Sequence, residues 1–337
     1  MSRLTPIRRK AVAGLAGLSL FTLAACGSDD AKSQSSSPGS VTPTEVSSSP
    51  TTPGSAPADD GPFAVTDPNG EVVLAAKPVR IISLSPTHTE MLYAIGAGDQ
   101  VIAVDEYSNF PAEVSAVPND LSGFTPNVEA IAEYKPDLVV IGDDSAKLSD
   151  QLGQVDIPVW YGPSAISLDD VYAQIEQLGV LTGHVPESVA LVAEMTADVK
   201  SILADVPTLA TPLRYYHELD STYFSTTSNS FIGEVYALAG LQNIADTAEA
   251  GNDYPQLSAE FIVSANPDLI FLADTKCCSQ TAETVAARDG WGAIAAVKNG
   301  QVIAMDDDIA SRWGPRIVDY LRAVVQAVAA AASIPAG

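Results

Sequence analysis

The sequence predicts an α/β protein in which two lobes, each with a parallel sheet, are joined by one long α-helix. One unit occurs twice, beginning at Asn127 and at Ser258, with an offset of 131 residues. Each copy predicts a short capped helix, a tight turn at a proline and a buried apolar strand. Between the copies, residues 186–203 keep apolar side chains at helical intervals with no strand signal. Two similar units one domain length apart indicate two lobes, and the intervening helix links them.

The repeated unit has a local physical explanation. Asn127 and Ser258 are good N-caps, because a short side-chain oxygen can accept from the free N–H groups of the first helical turn. Glu129 and Glu260 follow in that turn, where a carboxylate suits the positive end of the helix dipole. Each helix stops before the proline of a Pro-Asp pair, since a residue that precedes proline is disfavoured in the α region. The apolar run after that pair lacks polar alternation, which is typical of a strand buried on both faces.

The first lobe is predicted to begin with a hairpin at the turn Pro68-Asn69-Gly70 and to continue with alternating strands and helices. The predicted strands are residues 80–84, 101–104, 138–141 and 158–160. The predicted helices are residues 87–95, 127–134, 145–152 and 168–181. In the first of these helices, Thr87 as N-cap and Glu90 three residues later match a capping box.

The second lobe repeats this alternation. Its predicted strands are residues 213–217, 269–272 and 301–304, with a turn and short strand at 223–224. Its predicted helices are residues 230–239, the repeated helix after Ser258, part of 285–296, and 315–332 with Pro315 at the first helical position. The resulting boundaries are 63–184 for the N-terminal lobe, 185–206 for the connecting helix and 207–337 for the C-terminal lobe.

Residues 1–25 have the pattern of a bacterial lipoprotein signal peptide. A basic start precedes an apolar region of 15 residues, which is too short to span a bilayer. The end, Leu-Ala-Ala-Cys, resembles a lipobox in which Cys26 is lipidated; the alternative is an ordinary secretory signal beside a chance cysteine. Residues 26–62 are rich in Ser, Pro and Thr and predict a disordered tether. We therefore expect an extracytoplasmic protein, lipid-anchored to the outer face of the bacterial cytoplasmic membrane.

The net charge is −25 at pH 7. So acidic a chain is a poor partner for nucleic acid, whose phosphates need cationic contacts. The charge suits a soluble domain that stays away from an anionic membrane, or one that docks onto a basic partner. We expect a monomer that meets the membrane only through its lipid.

The sequence offers little for catalysis or metal binding. Ser85 and His88 are three residues apart, but no nucleophile-elbow or nucleotide-binding glycine motif accompanies them, so a turn serine and a helical histidine are the favoured interpretation. His88 and His217 each lie near a strand end and could face each other across a cleft around a transition metal. Without a local ligand pair such as His-x-x-x-His, we predict no enzyme, no metal site and no cofactor.

Cys277 and Cys278 are adjacent. Outside the cytoplasm two free thiols tend to oxidise. Adjacent Cα atoms are only ~3.8 Å apart, which is below the usual disulfide range, so a bridge between them is strained. A vicinal disulfide and an exposed thiol pair therefore both remain open.

Candidate ligand residues follow strand ends. The aromatic candidates are Tyr107, Phe124, Tyr254 and Trp313, which can stack on a flat or bulky ligand. Arg312 and Arg316 flank a predicted helix start, a favourable place for an anion. The alternative is that these arginines pair with the acidic residues at positions 306–308.

Several motifs together resemble the Fe³⁺-siderophore/cobalamin family of periplasmic binding proteins, the substrate-binding components of ABC importers with a single helical backbone. The motifs are residues 80–90 (RIISLSPTHTE), 107–111 (YSNFP), 127–138 (NVE through PDL), 231–244 (FIG through NI) and 258–269 (SAE through PDL). The similarity covers about residues 70–332. It implies two α/β lobes, one connecting helix, a ligand between the lobes and no catalysis.

The resemblance also implies roles for individual residues. The glutamates of the two repeats, Glu129 and Glu260, would contact arginines of the membrane permease; the alternative is helix-dipole capping alone. Tyr107 stands where cobalamin-binding relatives have tyrosine, and Phe124 and Tyr254 stand where they have tryptophan. The implied ligand is a ferric siderophore or related iron chelate, or cobalamin. A transition-metal-ion receptor and a cell-wall or signalling lipoprotein with the same fold are the alternatives.

Overall fold

Two four-stranded parallel sheets and an antiparallel hairpin organise the computed structural model, which describes residues 63–334. The predicted signal peptide, Cys26 and the tether lie outside the described residues. Within the described part, no helix is both long enough and apolar enough to cross a membrane.

The hairpin and the first sheet come first in the chain, as predicted. The hairpin pairs β1 (Phe63–Asp67) with β2 (Gly70–Leu74). The first sheet has the order β4-β3-β5-β6 and contains β3 (Ile81–Leu84), β4 (Val101–Val104), β5 (Leu138–Ile141) and β6 (Val159–Tyr161). Its helices are α1 (Pro86–Ala94), α2 (Val128–Glu133), α3 (Leu148–Gly153) and α4 (Leu168–Thr182). These elements form the first lobe.

The helix α5 (Val185–Ala204) then leads to the second sheet. This sheet has the order β10-β9-β7-β8 and contains β7 (Arg214–Glu218), β8 (Gln242–Asn243), β9 (Leu269–Leu272) and β10 (Val302–Ala304). The accompanying helices are α6 (Phe231–Leu238), α7 (Ala259–Ala265), α8 (Ala282–Ala286), α9 (Ala295–Lys298), α10 (Asp307–Ala310) and α11 (Ile317–Ala332). These elements form the second lobe, and the fold class predicted from the sequence is confirmed.

Both copies of the repeated unit fold as predicted. The side chain of Asn127 accepts a hydrogen bond from the N–H of Ala130, and that of Ser258 accepts one from the N–H of Phe261. Each helix is followed by a left-handed residue immediately before the proline, Lys135 in one copy and Asn266 in the other. The strands that follow, β5 and β9, are buried along their whole length.

Each sheet buries both faces. In β9, Leu269 and Phe271 face one apolar cluster, while Ile270 and Leu272 face another. The inner faces of the two sheets contribute to a single cluster that continues through Met195 of α5 and through α11. Because interiors are close-packed, this shared core opposes large rotations of one lobe against the other.

Three predicted helix starts are wrong. Helix α1 has Ser85, not Thr87, at its N-cap, and Glu90 is buried instead of closing a capping box. Helix α3 begins three residues later than predicted, at Leu148. Helix α11 begins at Ile317, so Pro315 precedes it. Near the starts of α1 and α11, side chains form contacts between the lobes. Local sequence patterns do not encode such contacts.

Candidate functional site

A cavity of about 230 Å³ lies between the two lobes. Ala165, which follows β6, belongs to its first-lobe wall, and Phe231 at the start of α6 belongs to its second-lobe wall. Three predicted ligand residues, Tyr254, Arg312 and Trp313, also line it. Ligands of open α/β sheets commonly lie beyond the carboxyl ends of the strands, which is where β6 and β7 end beside this cavity.

A larger groove of about 740 Å³ runs along α1 and is lined by Tyr93, Phe110 and Pro315, among others. Arg316 lines this groove and is absent from the lining of the interlobe cavity. Its guanidinium lies 4.1 Å above the ring of Phe110. Arg312 and Arg316, which the sequence pattern grouped as one anion site, therefore line different cavities.

Glu90 joins both arginines across the lobe boundary. Its carboxylate accepts from Nη1 of Arg312 at 2.8 Å and from Nε and Nη2 of Arg316, the Nε contact also at 2.8 Å. Glu90 and Arg312 are buried, and Arg316 is nearly so. One buried carboxylate thus holds two guanidinium groups in charge-assisted hydrogen bonds, which are among the stronger ones in proteins.

The two terminal nitrogens of Arg312 make three further contacts. They contact the side-chain oxygen of Asn109 at 2.9 Å, the backbone oxygen of Tyr107 at 3.1 Å and the carboxylate of Asp308 at 3.2 Å. The alternative in which the arginines pair with residues 306–308 is therefore correct in one contact, that of Arg312 with Asp308. The principal partner, Glu90, was assigned to a helix cap by the sequence analysis. A neutralised Arg312 offers a ligand little net positive charge.

Trp313 is held by a buried hydrogen-bond chain that starts in the first lobe. The Oε1 atom of Gln174 in α4 accepts from Nε1 of Trp313 and from Nε2 of His88, each at 3.0 Å. Since Nε2 of His88 donates, its Nδ1 accepts from the hydroxyl of Ser85 at 2.9 Å. Burial lowers the pKa of His88 to about 4, so the ring is neutral. The chain fixes the orientation of a ring that lines the cavity.

The other aromatic candidates are exposed. Tyr107 and Phe124 make an edge-to-face pair, with ring centroids 5.5 Å apart, although 54% and 80% of their surfaces are accessible. Tyr254, on the opposite lobe, is 57% accessible. Large aromatic side chains exposed on each lobe are typical of a binding surface.

The geometry supports neither a metal site between His88 and His217 nor nucleophilic chemistry by Ser85 and His88. His88 and His217 are fully buried, and Nδ1 of His217 bonds to the hydroxyl of Tyr236, so the two rings do not face a shared cleft. Ser85 is buried beside His88 and has no exposed face for a substrate. Among residues 63–334, no group of three or more His, Cys, Asp or Glu side chains could hold a metal ion.

Glu129 and Glu260 occupy equivalent exposed positions in the first turns of α2 and α7. Within the described chain neither carboxylate lies in an ion pair with a Lys or Arg. Both are therefore available to cations of another molecule.

Cys277 and Cys278 are free thiols in the loop after β9. Cys277 is exposed and Cys278 is half-buried. The structure thus has the thiol pair, not the vicinal disulfide.

Sequence reasoning missed two residues of this site, Glu90 and Gln174. A signal existed for Gln174, because it lies on the apolar face of α4 with Val171 and Leu178. A polar residue on such a face needs a buried partner. No comparable local signal marked Glu90, whose partners are more than 200 residues away in the chain.

Comparisons with known proteins agree with this geometry. Residues 81–309 match the family model described as periplasmic binding protein. The chain is 31% identical over 268 residues to an uncharacterized ABC transporter substrate-binding lipoprotein of Bacillus subtilis, covering 77% of this chain and 83% of that protein. It is also 31% identical over 265 residues to the vitamin B12-binding protein of Vibrio cholerae, covering 74% of this chain and 90% of that protein.

Solved structures show the same fold. A periplasmic solute-binding protein of Staphylococcus epidermidis, described as a possible iron-binding protein, superposes with a TM-score of 0.65 at 27% identity. The match covers 75% of this chain and 99% of that structure.

Proposed function

This chain belongs to the periplasmic binding protein family, and from that premise we propose that it is the lipid-anchored substrate-binding protein of an ABC importer. Cys26 carries the lipid, residues 26–62 form the tether, and the two lobes hold the ligand outside the cytoplasmic membrane. The naming of the Bacillus subtilis relative as an ABC transporter substrate-binding lipoprotein supports this role. Both walls of the cavity come from one chain, which is consistent with action as a monomer.

The ligand is a bulky metal chelate that lies across the mouth of the interlobe cavity. At about 230 Å³ the cavity is smaller than the roughly 300–1,000 Å³ of usual ligand pockets, so it takes only part of such a molecule. The rest contacts Tyr254 on one lobe and Tyr107 with Phe124 on the other. These exposed aromatics, on opposite lobes, are the observation that carries the proposal.

The chelate presents a largely uncharged surface to the cavity. The cation that lines it, Arg312, is already bonded to Glu90 and Asp308, and recruiting it for an anion would sacrifice these buried, charge-assisted contacts. A corrinoid fits this requirement, and the name of the Vibrio cholerae relative supports it. Arg312 and Arg316, predicted from the sequence to suit an anion, therefore give no support to an anionic iron chelate.

A neutral ferric siderophore is the second candidate. The aromatic surface suits it equally, because stacking and apolar contact do not distinguish a corrin from a folded hydroxamate chelate. The likeness to the Staphylococcus epidermidis structure, described as a possible iron-binding protein, supports this class.

Delivery to the permease uses Glu129 and Glu260. Their exposure at equivalent positions in the two copies of the repeat supports a symmetric pair of contacts with basic residues on the permease. Such pairs contribute more to orientation and association rate than to affinity.

Calorimetric titration of the full-length protein in detergent tests the ligand class. The ligands are cyanocobalamin, neutral ferrichrome and the anionic ferric enterobactin. Tight binding of cyanocobalamin, or of ferrichrome for the second candidate, is expected, with at least tenfold weaker binding of ferric enterobactin. Tight binding of the anionic chelate alone would overturn the charge argument, and no binding of any chelate would overturn the proposed ligand class.

A further inference from the structure

The loop after β9 carries two free thiols next to the segment that forms the cavity wall. Cys277 is exposed, and Cys278 directly follows it in the chain. We propose that this pair is a redox modification site: a disulfide oxidant converts it to a vicinal disulfide, which releases the loop from residues 306–308 and loosens the segment 306–313.

The chemistry requires only thiol–disulfide exchange. One cysteine sulfur attacks the S–S bond of a small-molecule disulfide, forms a mixed disulfide and releases one thiol. The neighbouring cysteine sulfur attacks the mixed disulfide, closes the Cys277–Cys278 bond and releases the second thiol. The two cysteine protons end on the two released thiols, so two electrons pass from the protein to the oxidant. A small-molecule thiol reverses both steps.

The reduced loop is tied to α10 through its backbone. The carboxylate of Asp307 accepts from the N–H groups of Thr275 at 2.8 Å, Lys276 at 2.8 Å and Cys277 at 3.0 Å. On the other side, the N–H of Cys278 donates to the backbone oxygen of Asp274 at 3.2 Å. The backbone N–H groups of both cysteines are thus hydrogen-bonded, that of Cys277 to Asp307 and that of Cys278 to Asp274.

The side chain of Lys276 adds a second tie. Its ammonium group contacts the carboxylates of Asp306 at 2.7 Å and Asp308 at 2.8 Å. Asp308 in turn accepts from Arg312, which lines the cavity and directly precedes Trp313. A short chain of contacts therefore runs from the thiol pair to two residues of the candidate ligand site.

Closing the bridge is incompatible with this arrangement. Adjacent Cα atoms are ~3.8 Å apart, less than the usual ~4.4–6.8 Å of a disulfide, so the connecting peptide unit must turn to bring the sulfurs into bonding distance. The N–H of Cys278 belongs to that peptide unit, so its bond to Asp274 breaks, and the accompanying backbone rotation at Cys277 draws the N–H of Cys277 away from Asp307. Loss of these bonds weakens the hold on α10 and hence on Arg312.

The surroundings of Cys277 slow its attack on a disulfide at neutral pH. Burial, the contact with Cys278 and the nearby Asp307 and Asp274 carboxylates raise the pKa of the Cys277 thiol to about 12. Little thiolate of this residue exists at neutral pH, so exchange accelerates as the pH rises.

Mass spectrometry and hydrogen exchange of the full chain test the proposal without any ligand. The protein is incubated with excess oxidised glutathione at pH 8.5, alkylated and digested. The tryptic peptide 277–288 contains both cysteines and no other thiol. We expect it to lose two hydrogens and escape alkylation, and we expect faster amide exchange in residues 306–313. Dithiothreitol should reverse both changes.

Cys278→Ser is the matched control, because a single thiol can form a mixed disulfide with glutathione but cannot close a ring. It should gain glutathione and keep slow exchange in residues 306–313. A wild-type peptide that stays reduced or carries glutathione would overturn the proposal, as would a bridged peptide with unchanged exchange. Any change in ligand affinity on oxidation rests on the proposed function. If neither redox form binds a chelate while amide hydrogen exchange in residues 306–313 still changes, the proposed function fails and this inference stands.

Discussion

Glu90 of the first lobe and Arg312 of the second form a buried ion pair of 2.8 Å between segments that are 222 residues apart in the chain. Arg316 completes a triad on the same carboxylate. The triad lies where the two lobes meet and is continuous with the hydrogen bonds from Arg312 to Tyr107 and Asn109. It therefore does two things at once: it fixes the lobes relative to each other, and it neutralises the cation at the ligand cavity.

Replacing Glu90 by glutamine should destabilise the protein strongly. The substitution keeps the size of the side chain but leaves two guanidinium groups without their carboxylate. Removal of one member of a buried ion pair commonly costs ~3–5 kcal/mol. We expect a loss near the lower end, about 3 kcal/mol, because Arg312 keeps Asp308. Urea denaturation measures this loss in the free energy of unfolding. The control Glu133→Gln, on an exposed residue at the end of α2, should change stability by less than about 0.5 kcal/mol.

The same substitution should alter which chelates bind. Without the Glu90 carboxylate, Arg312 keeps a partly unbalanced positive charge at the cavity wall. We expect Glu90→Gln to bind the anionic ferric enterobactin at least tenfold more tightly than the wild type does, with little gain for cyanocobalamin. Calorimetric titration below the unfolding temperature of the variant measures both. An equal change for both chelates would mean that Glu90 acts on the shape of the cavity and not on its charge.

Much of this fold was accessible from local sequence patterns, and the triad was not. The two repeated units were predictable because their caps, their proline and their buried strand are set within about fifteen residues. The wrong N-cap at Thr87 has the opposite cause: Glu90 looked like a capping residue, but its carboxylate is engaged by Arg312 and Arg316 from the other end of the chain. Local propensity is a weak prior when a distant charge competes for the same side chain. The exposed aromatic candidates were found by position alone, and their roles remain predictions.

Trp313 should contribute measurably to ligand affinity. Its ring lines the cavity and is oriented by Gln174, so little entropy is lost when a ligand stacks on it. We expect Trp313→Ala to weaken chelate binding about tenfold, which corresponds to about 1.4 kcal/mol. Trp291→Phe is the matched control, because Trp291 is buried against Tyr216 and Tyr223 in the second lobe. That control should leave the dissociation constant unchanged.

Acid should destabilise the protein through its buried histidines. Burial lowers the pKa of His88 to about 4 and that of His217 to about 3, from 6.5 in the unfolded chain. Below pH 6.5 the unfolded chain binds protons at these rings and the folded protein does not, so the free energy of unfolding falls as the pH decreases toward 4. Each histidine contributes up to roughly 1.4 kcal/mol per pH unit.

His217→Asn isolates one of these contributions. Asparagine can still bond to the hydroxyl of Tyr236 but does not titrate. Burial raises the pKa of Asp274 to about 7, so this carboxyl stabilises the folded state as the pH falls, in opposition to the histidines. The wild-type curve alone therefore does not isolate His217, and the comparison must use a variant. Urea denaturation between pH 4 and 7 should therefore show a smaller acid-induced loss of stability for the variant than for the wild type. Parallel curves would show that the pKa of His217 is the same in the folded protein as in the unfolded chain, and would contradict the lowering by burial.

The exposed glutamates of the repeat should matter for transport and not for ligand binding. The double variant Glu129→Ala/Glu260→Ala removes two exposed carboxylates from the first turns of α2 and α7. We expect it to bind the chelate with unchanged affinity and to lose most of the uptake, because the permease no longer receives two oriented charges. Uptake of labelled chelate by cells that carry the cognate permease measures this. Glu133→Ala/Glu283→Ala has the same change in net charge on other exposed sites and should transport normally. Equal uptake by the two double variants would reduce Glu129 and Glu260 to helix-dipole partners of their own helices.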